Sequence, residues 1–485
     1  MTPASCGDPV QEFVRDVTPG RRFQQKEPTM TSKSKGKPRS SLWMLPIMHP
    51  DAGGIDIGAE EIFVAVPPDR DIDSVRRFGT FTRDLIALAD WLQQCKIRSV
   101  AMESTGVYWI PLYQILETHG FEVFLVNAHH VKNVPGRKSD VSDCQWIQYL
   151  HSVGLLRASF RPPDEICVLR SLWRRREGLV QMAAEHIQHM QKALSQMNLQ
   201  LHHVLSDIVG VSGTAILDAI LAGERDPAKL ANLCNRRIRS PRQTVAKSLE
   251  GDYRPEHLFA LRQSLAAYRF YKNLMAEVDL ELAGRMRELP RAKHAPEKRP
   301  AGTKKRIYQR AGNEPSFDLK EELFRIAGVD LTDVPGISTL TAHTILMEVG
   351  TDVSRFRNAS AFASWLGLCP EKQVSGGKVL YTRTRKVKNR AAIALRLGAH
   401  CLYHAQNYLG DFYRKMKWRL GAPAAVTATA HKLARIVYHL LSTGQPYSDE
   451  VFARCDLQAS LRAEMRLRKH AAELGFQLAP ITQAT

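Results

Sequence analysis

From Gly53 onward the apolar positions of the chain alternate between two periods. GGIDIG, EIFVAVPP, RSVAMEST and FEVFLVN are short apolar runs bounded by glycine, proline or polar turns, which predicts strands. Between them, LIALADWLQQC and WIPLYQILETHG space their apolar residues three and four apart, which predicts helices. The alternation ends near residue 160, so residues 49–160 are expected to form an α/β domain whose sheet carries helices on its faces.

A longer period follows. Val180, Ala183, Ile187, Met190, Leu194, Met197, Leu201 and Val204 form a heptad seam, and Leu258, Leu261, Leu265, Tyr268, Met275, Val278 and Leu282 form a second one, interrupted at Lys272. Residues 161–290 are therefore expected to be an α-helical coiled-coil region with a less regular insert at 206–255. An intramolecular hairpin and a dimerising coiled coil bury the same seam, and the pattern fits both. Residues 1–48, with TSKSKGKPRSS, cannot build a core and read as a disordered basic tail, in which Met30, Met44 and Met48 are alternative starts. Residues 291–317 read as a basic linker, 318–445 as a compact, mainly α-helical domain, and 446–485 as a charged helical tail.

Composition narrows the partners. The 485 residues are 44% hydrophobic, enough for two to four domains with sizeable cores. An excess of 68 Lys and Arg over 49 Asp and Glu gives a formal charge of +19, a field that draws polyanions, nucleic acid first and an anionic membrane surface second. No uncharged apolar run has membrane-spanning length, and MTPASCGDPVQEFVRD lacks the apolar segment of a signal peptide, so a cytoplasmic protein is expected. Cys6, Cys95, Cys144, Cys167, Cys234, Cys369, Cys401 and Cys455 form no CxxC pair, which argues against a zinc ribbon or a disulfide framework.

Candidate chemistry begins with carboxylates. Asp56 interrupts an apolar strand in GGIDIGAEEIFVAV, and Glu103 ends another in SVAMESTGVYW. Asp140 and Asp143, in GRKSDVSDCQW, lie three apart at the start of a helix and share one face. Four such carboxylates could converge on Mg²⁺, which prefers hard oxygen ligands. Asp140 or Asp143 alone reads equally as a helix-capping carboxylate, and Lys132, Arg137 and Lys138 as phosphate contacts or as a solvated basic loop. A glycine-flanked Asp strand also opens the actin-like and sugar-kinase ATPases, but residues 160–320 contain no glycine-rich phosphate loop of the kind those need. The set Asp56, Glu103, Asp140 and Asp143 resembles the DEDD site of RuvC-like (RNase H-like) nucleases, and specifically the N-terminal domain of the insertion-sequence 110 (110/116/902) family of transposases.

The second half carries a matching set. DVPGISTLTAHTILMEVG looks like the second half of a helix-hairpin-helix, in which the Gly336 turn offers backbone N–H groups to a DNA phosphate and Thr341–Val349 form the helix behind it. Ser375 precedes Gly376 and Gly377, and Lys378, Arg383, Arg385, Lys386, Lys388 and Arg390 follow. The residues alone leave Ser375 either a turn residue or a nucleophile. The stretch FRNASAFASWLGLCPEKQVSGGKVLYTRTRKVKNRAAIALRLGAH resembles the C-terminal domain of the same transposases. The resemblance covers about residues 53–160 and 325–415; the N-terminal tail, the insert and the linker depart from the family pattern.

That resemblance implies a recombinase that cuts and rejoins donor and target DNA, guided by a structured noncoding bridge RNA. It implies Mg²⁺ at the four carboxylates and Ser375 as a nucleophile that holds one DNA end covalently. It further implies homodimers joined into a tetramer, with the carboxylates of one subunit beside the serine of another. No RNA-recognition motif is visible in the chain. Two rivals remain at this point: a RuvC-like structure-specific nuclease that uses water, and a non-catalytic DNA-binding derivative of a transposase.

Overall fold

A computed structural model describes residues 45–104, 106–127, 140–293, 295–296, 313–385, 387–448, 461 and 464–477, without the side chains of residues 140–142 and 372–373. Lys132, Arg137, Lys138, Lys386, most of the N-terminal tail and residues 297–312 of the linker lie outside the described residues. Two compact units divide the chain between Phe160 and Arg161.

The first unit is built on five strands: β1 (Ala52–Ile57), β2 (Glu61–Ala65), β3 (Val75–Gly79), β4 (Ser99–Glu103) and β5 (Glu122–Val126). Their order in the sheet is β3-β2-β1-β4-β5, with β1, β2 and β3 an antiparallel meander and β4 and β5 parallel to β1. Helices α1 (Thr82–Gln94) and α2 (Trp109–Thr118) cover one face. Strand alternation sends Ile55, Ile57, Val100 and Met102 to that face, where they pack with Leu85, Leu88, Leu92, Leu112 and Leu116. The opposite face, with Ala101, Phe124 and Val126, meets Ile147 and Leu150 of α3 (Asp140–Ser152). This five-stranded mixed sheet is consistent with the RuvC-like fold. Strand β3 carries no apolar run: Arg77 pairs with Glu61 at the sheet edge, while Arg76, held by Asp71, and Phe78 share the face turned to Trp91.

Gly54 decides how α3 sits. A Cβ there would lie 2.2 Å from the backbone nitrogen of Gln148 and 2.4 Å from the carbonyl oxygen of Cys144. Only glycine lets the backbone of α3 rest on β1 at this point.

In the second unit, α4 (Asp164–Gln196) and α5 (Pro255–Glu288) lie side by side. Ala183 packs with Met275, and Leu194 with Leu261 and Leu265, so the helices run antiparallel and close their seams on each other as an intramolecular hairpin. Between them the insert forms the short helices Val211–Leu221, Pro227–Asn232 and Arg242–Lys247. The Asp226 side chain caps the second of these by accepting from Ala228 N at 2.9 Å, with proline in its first turn.

The C-terminal region is mostly helical: α6 (Leu319–Ala327), α7 (Thr339–Val349), α8 (Ala359–Trp365), α9 (Arg390–Cys401), α10 (Tyr408–Leu420) and α11 (Ala422–Thr443), with one hairpin of β6 (Pro370–Ser375) and β7 (Lys378–Thr384). Asp318, Ser338, Asn358, Asn389 and Asn407 each cap the helix that follows. One face of α4 clamps this region. Arg170 donates to the carbonyls of Met347 and Glu348 at 3.0 and 2.9 Å, Arg174 grips the Glu348 carboxylate at 2.8 and 2.9 Å, and Glu177 pairs with Arg390. Residues 170, 174 and 177 follow helical spacing, and Trp173 in the same stripe meets the buried ring of His343 edge-on at 4.1 Å.

Candidate active site

Asp56 stands one residue before the end of β1, and Glu103 ends its parallel neighbour β4. Ile55 pairs with Met102, so the two carboxylate-bearing residues stand one step further along each strand. By alternation Asp56 shares the face of Gly54, and Glu103 that of Ala101, which is the face α3 covers. Both are half-buried and both have polar or electrostatic partners. Asp143, in the first turn of α3, precedes Ile147 and Leu150 by four and seven residues and thus lies on the helix face turned to the sheet. The Cys144 thiol registers this arrangement electrically. Burial, with smaller contributions from the charges of Asp56 and Asp143, pushes its pKa up to about 12. Asp56 on β1 and Asp143 on α3 therefore act on the same point.

The donors suit a hard divalent cation in chemistry, being carboxylates at one end of the sheet. Among the described residues, no group of three or more His, Cys, Asp or Glu side chains is drawn close enough to hold a metal ion. Asp140 begins α3, but its side chain lies outside the described residues.

Ser375 lies in the second unit, at the tip of the β6–β7 hairpin. It pairs with Lys378 across a two-residue turn whose Gly376 and Gly377 have φ of +54° and +76°, the left-handed values this turn requires. Nothing surrounds either glycine within 4 Å of a Cβ position, and Ser375 itself is exposed. Its hydroxyl is thus presented on an open tip. Among the described residues no side chain is hydrogen-bonded to it, so no general base is identified there.

The basic run behind the serine divides in two. Lys378, Arg383 and Lys388 are exposed, with Arg383 lying over the Tyr381 ring at 5.6 Å. Arg385 instead donates to the carbonyl and hydroxyl of Ser364, and Arg390 is held by Glu177. Gly336 has a packing role that sequence reasoning missed. Its φ is +89° and a Cβ there would lie 2.7 Å from the carbonyl oxygen of Gly398, so the Pro335–Gly336 turn sits backbone to backbone on α9. A second omission is the buried pair Arg176–Asp279, which also takes Asn313 O at 2.8 Å and Ser316 N at 2.9 Å. A sequence shows only that each of these two charges falls near an apolar seam.

With this geometry in hand, two family models match the chain. One, for DEDD-type transposases of IS110, spans residues 53–199; the other, described as the transposase IS116/IS110/IS902 family, spans residues 330–414. Both halves of the chain are similar to IS110 family transposases. The first match contains Asp56, Glu103, Asp140 and Asp143, and the second contains Gly336, Ser375 and the basic run. The chain is also 30% identical over 144 residues to a protein of Sinorhizobium fredii (strain NBRC 101917 / NGR234) named as the transposase y4pF/y4sB, covering 27% of this chain and 36% of that protein. The chain thus spans about a third of that relative's length. Among the described residues, no helix is long and apolar enough to cross a membrane.

Proposed function

We propose that this chain is a DNA transposase that cleaves and rejoins strands by transesterification, with Ser375 as nucleophile and Asp56, Glu103, Asp140 and Asp143 as the ligands of a divalent cation, Mg²⁺. The observation that carries this reading is the pairing of Asp56 and Glu103 at the ends of adjacent parallel strands, beneath the helix that bears Asp143. Both residues are half-buried and offer the hard oxygen donors that Mg²⁺ takes.

The chemistry balances without a cofactor that stores energy. The Ser375 hydroxyl gives up its proton as its oxygen forms a bond to phosphorus, the bond from phosphorus to one sugar oxygen breaks, and that sugar oxygen takes up a proton in exchange. Attack by a hydroxyl of another strand reverses the exchange and restores the serine. Bound Mg²⁺ would neutralise charge on the phosphodiester oxygens. Lys378, Arg383 and Lys388 hold the phosphate backbone near the serine, and the glycine turn keeps the hydroxyl clear of its own protein.

Donor and target DNA are the substrates in this reading. The formal charge of +19 supports a second polyanionic partner, a structured noncoding bridge RNA that pairs with them. In this reading the chain assembles as homodimers joined into a tetramer, one subunit's carboxylates serving another's serine. The carboxylate half of the proposal is tested by Asp56→Asn and Glu103→Gln. Each is near-isosteric and should abolish strand cleavage in Mg²⁺ while nucleic-acid binding and melting temperature stay close to those of the unaltered chain. Normal cleavage by either variant removes that residue from the site.

A further inference from the structure

Residues 200–329 fall outside both family matches. Within them, the insert between α4 and α5 folds on a core of its own, in which Leu205, Ile216, Leu217, Leu230 and Val245 pack with Met190 and Leu261 of the long helices. Its surface carries one strongly charged loop. From Asn232 to Lys247 the chain has five Arg or Lys and no Asp or Glu.

This loop is anchored at several points. Asn235 N donates to Ser212 Oγ at 2.9 Å, Arg237 N to Asn235 Oδ1 at 3.0 Å, and Ser240 Oγ to Val204 O at 2.8 Å. Cys234 is buried and Ile238 packs on the core. Arg242 turns inward, donating to the carbonyls of Ala231, at 2.6 Å, and Cys234. What remains outside is Arg236, Arg237 and Arg239, all exposed and none in an ion pair among the described residues. Nearby acids are engaged elsewhere: Asp218 with Arg269 at 2.6 Å, Glu224 with Lys229 at 3.7 Å, Asp252 with Arg254 at 3.2 Å. Three guanidinium groups within four residues repel one another, and an anchored backbone limits how far they can separate.

We propose that this loop is a second nucleic-acid contact, with Arg236, Arg237 and Arg239 binding the phosphate backbone of duplex DNA away from the site of chemistry. The guanidinium fork matches phosphate oxygens. The loop has no aromatic side chain on which an unpaired base could stack, which favours a duplex over a single strand. Along α4, from Arg174 at the clamp on Glu348 to Gln196 beside the insert, the rise is about 33 Å, close to one turn of B-DNA. This inference rests on DNA as the substrate.

The test is equilibrium binding of the full chain to a duplex of several helical turns, and to an RNA stem of the same length, over a range of salt concentrations. With all three arginines changed to alanine, the slope of log affinity against log salt on duplex DNA should become shallower by about 2.7, at about 0.9 for each phosphate no longer neutralised. The triple lysine variant should restore it, and an unchanged melting temperature should show that the insert remains folded. Equal slopes for the unaltered and alanine chains, both binding duplex, would overturn this inference and leave the DNA reading standing. A weakening confined to the RNA stem would assign the loop to RNA and overturn it as well. Failure of the unaltered chain to bind any duplex would overturn both.

Discussion

Gly54 on β1 and Gln148 on α3 touch backbone to backbone, so closely that a Cβ on the glycine would lie 2.2 Å from the Gln148 nitrogen. This contact seats the helix that carries Asp143 over the strand that carries Asp56. Gly54→Ala should therefore push α3 off the sheet, costing about 1–3 kcal/mol of stability as an overpacked core does. Cleavage should fall further than stability alone explains, because Asp143 moves away from Asp56. Thermal melts alongside a cleavage assay below the melting temperature check this; an alanine variant with full stability would mean that the contact is looser than described.

The basic run near Ser375 should behave as two groups. Reversing Lys378, Arg383 and Lys388 to glutamate should weaken DNA binding and flatten its salt dependence by about 0.9 in slope for each phosphate left without its cation. Arg390→Ala should change that slope little, since Glu177 already holds the guanidinium, and should instead loosen α9 from α4. Anisotropy titrations over a salt series separate the two, and equal slopes for all variants would make the run an ordinary solvated surface.

Much of this arrangement was legible in the chain because it breaks a pattern. Asp56 and Glu103 interrupt apolar strands, where an unpaired carboxylate is expensive, and the double glycine after Ser375 marks a turn that requires left-handed residues. The two seams were equally visible, but a seam does not say what covers it, and only the packing of Ala183 on Met275 shows the hairpin to be intramolecular. Strand β3 escaped notice because an edge strand that reads VRRFG has no apolar run. Two of the insert helices, Pro227–Asn232 and Arg242–Lys247, were missed because six residues are too few for a period; the Asp226–Pro227 cap was the available signal for the first. Gly336 was read as a phosphate turn, whereas the visible reason for its conformation is the close approach of Gly398, a residue far away in sequence.

His343 makes the second unit sensitive to acid. The ring is fully buried against Trp173 with neither nitrogen hydrogen-bonded, and burial, reinforced by the charge of Arg176, lowers its pKa to about 3. The unfolded chain binds this proton near pH 6.5, whereas the folded one resists it down to about pH 3. Stability is therefore unaffected by His343 above that upper value and falls as pH drops through the interval. His343→Phe keeps an aromatic ring against Trp173 and removes the titration. Its melting temperature should decline less between pH 7 and pH 4 than that of the unaltered chain, although His151, with a pKa lowered to about 4 by burial, leaves part of the decline in the first unit. Parallel declines would place the acid sensitivity elsewhere.

The serine carries the central claim, and a covalent protein–DNA linkage is its most direct signature. Labelled DNA incubated with the full chain and Mg²⁺, with and without RNA transcribed from the DNA flanking the gene, then run on a denaturing gel with and without protease, reports that linkage. The unaltered chain should give a shifted band that protease removes. Ser375→Ala should give none, because alanine suits the hairpin but has no oxygen to attack phosphorus, and Ser375→Cys should give little, since sulfur is a poor match for Mg²⁺ and phosphate. A protease-sensitive band that persists in the alanine variant, or cleaved ends without any such band from the unaltered chain, would contradict the serine mechanism, the latter in favour of hydrolysis by water.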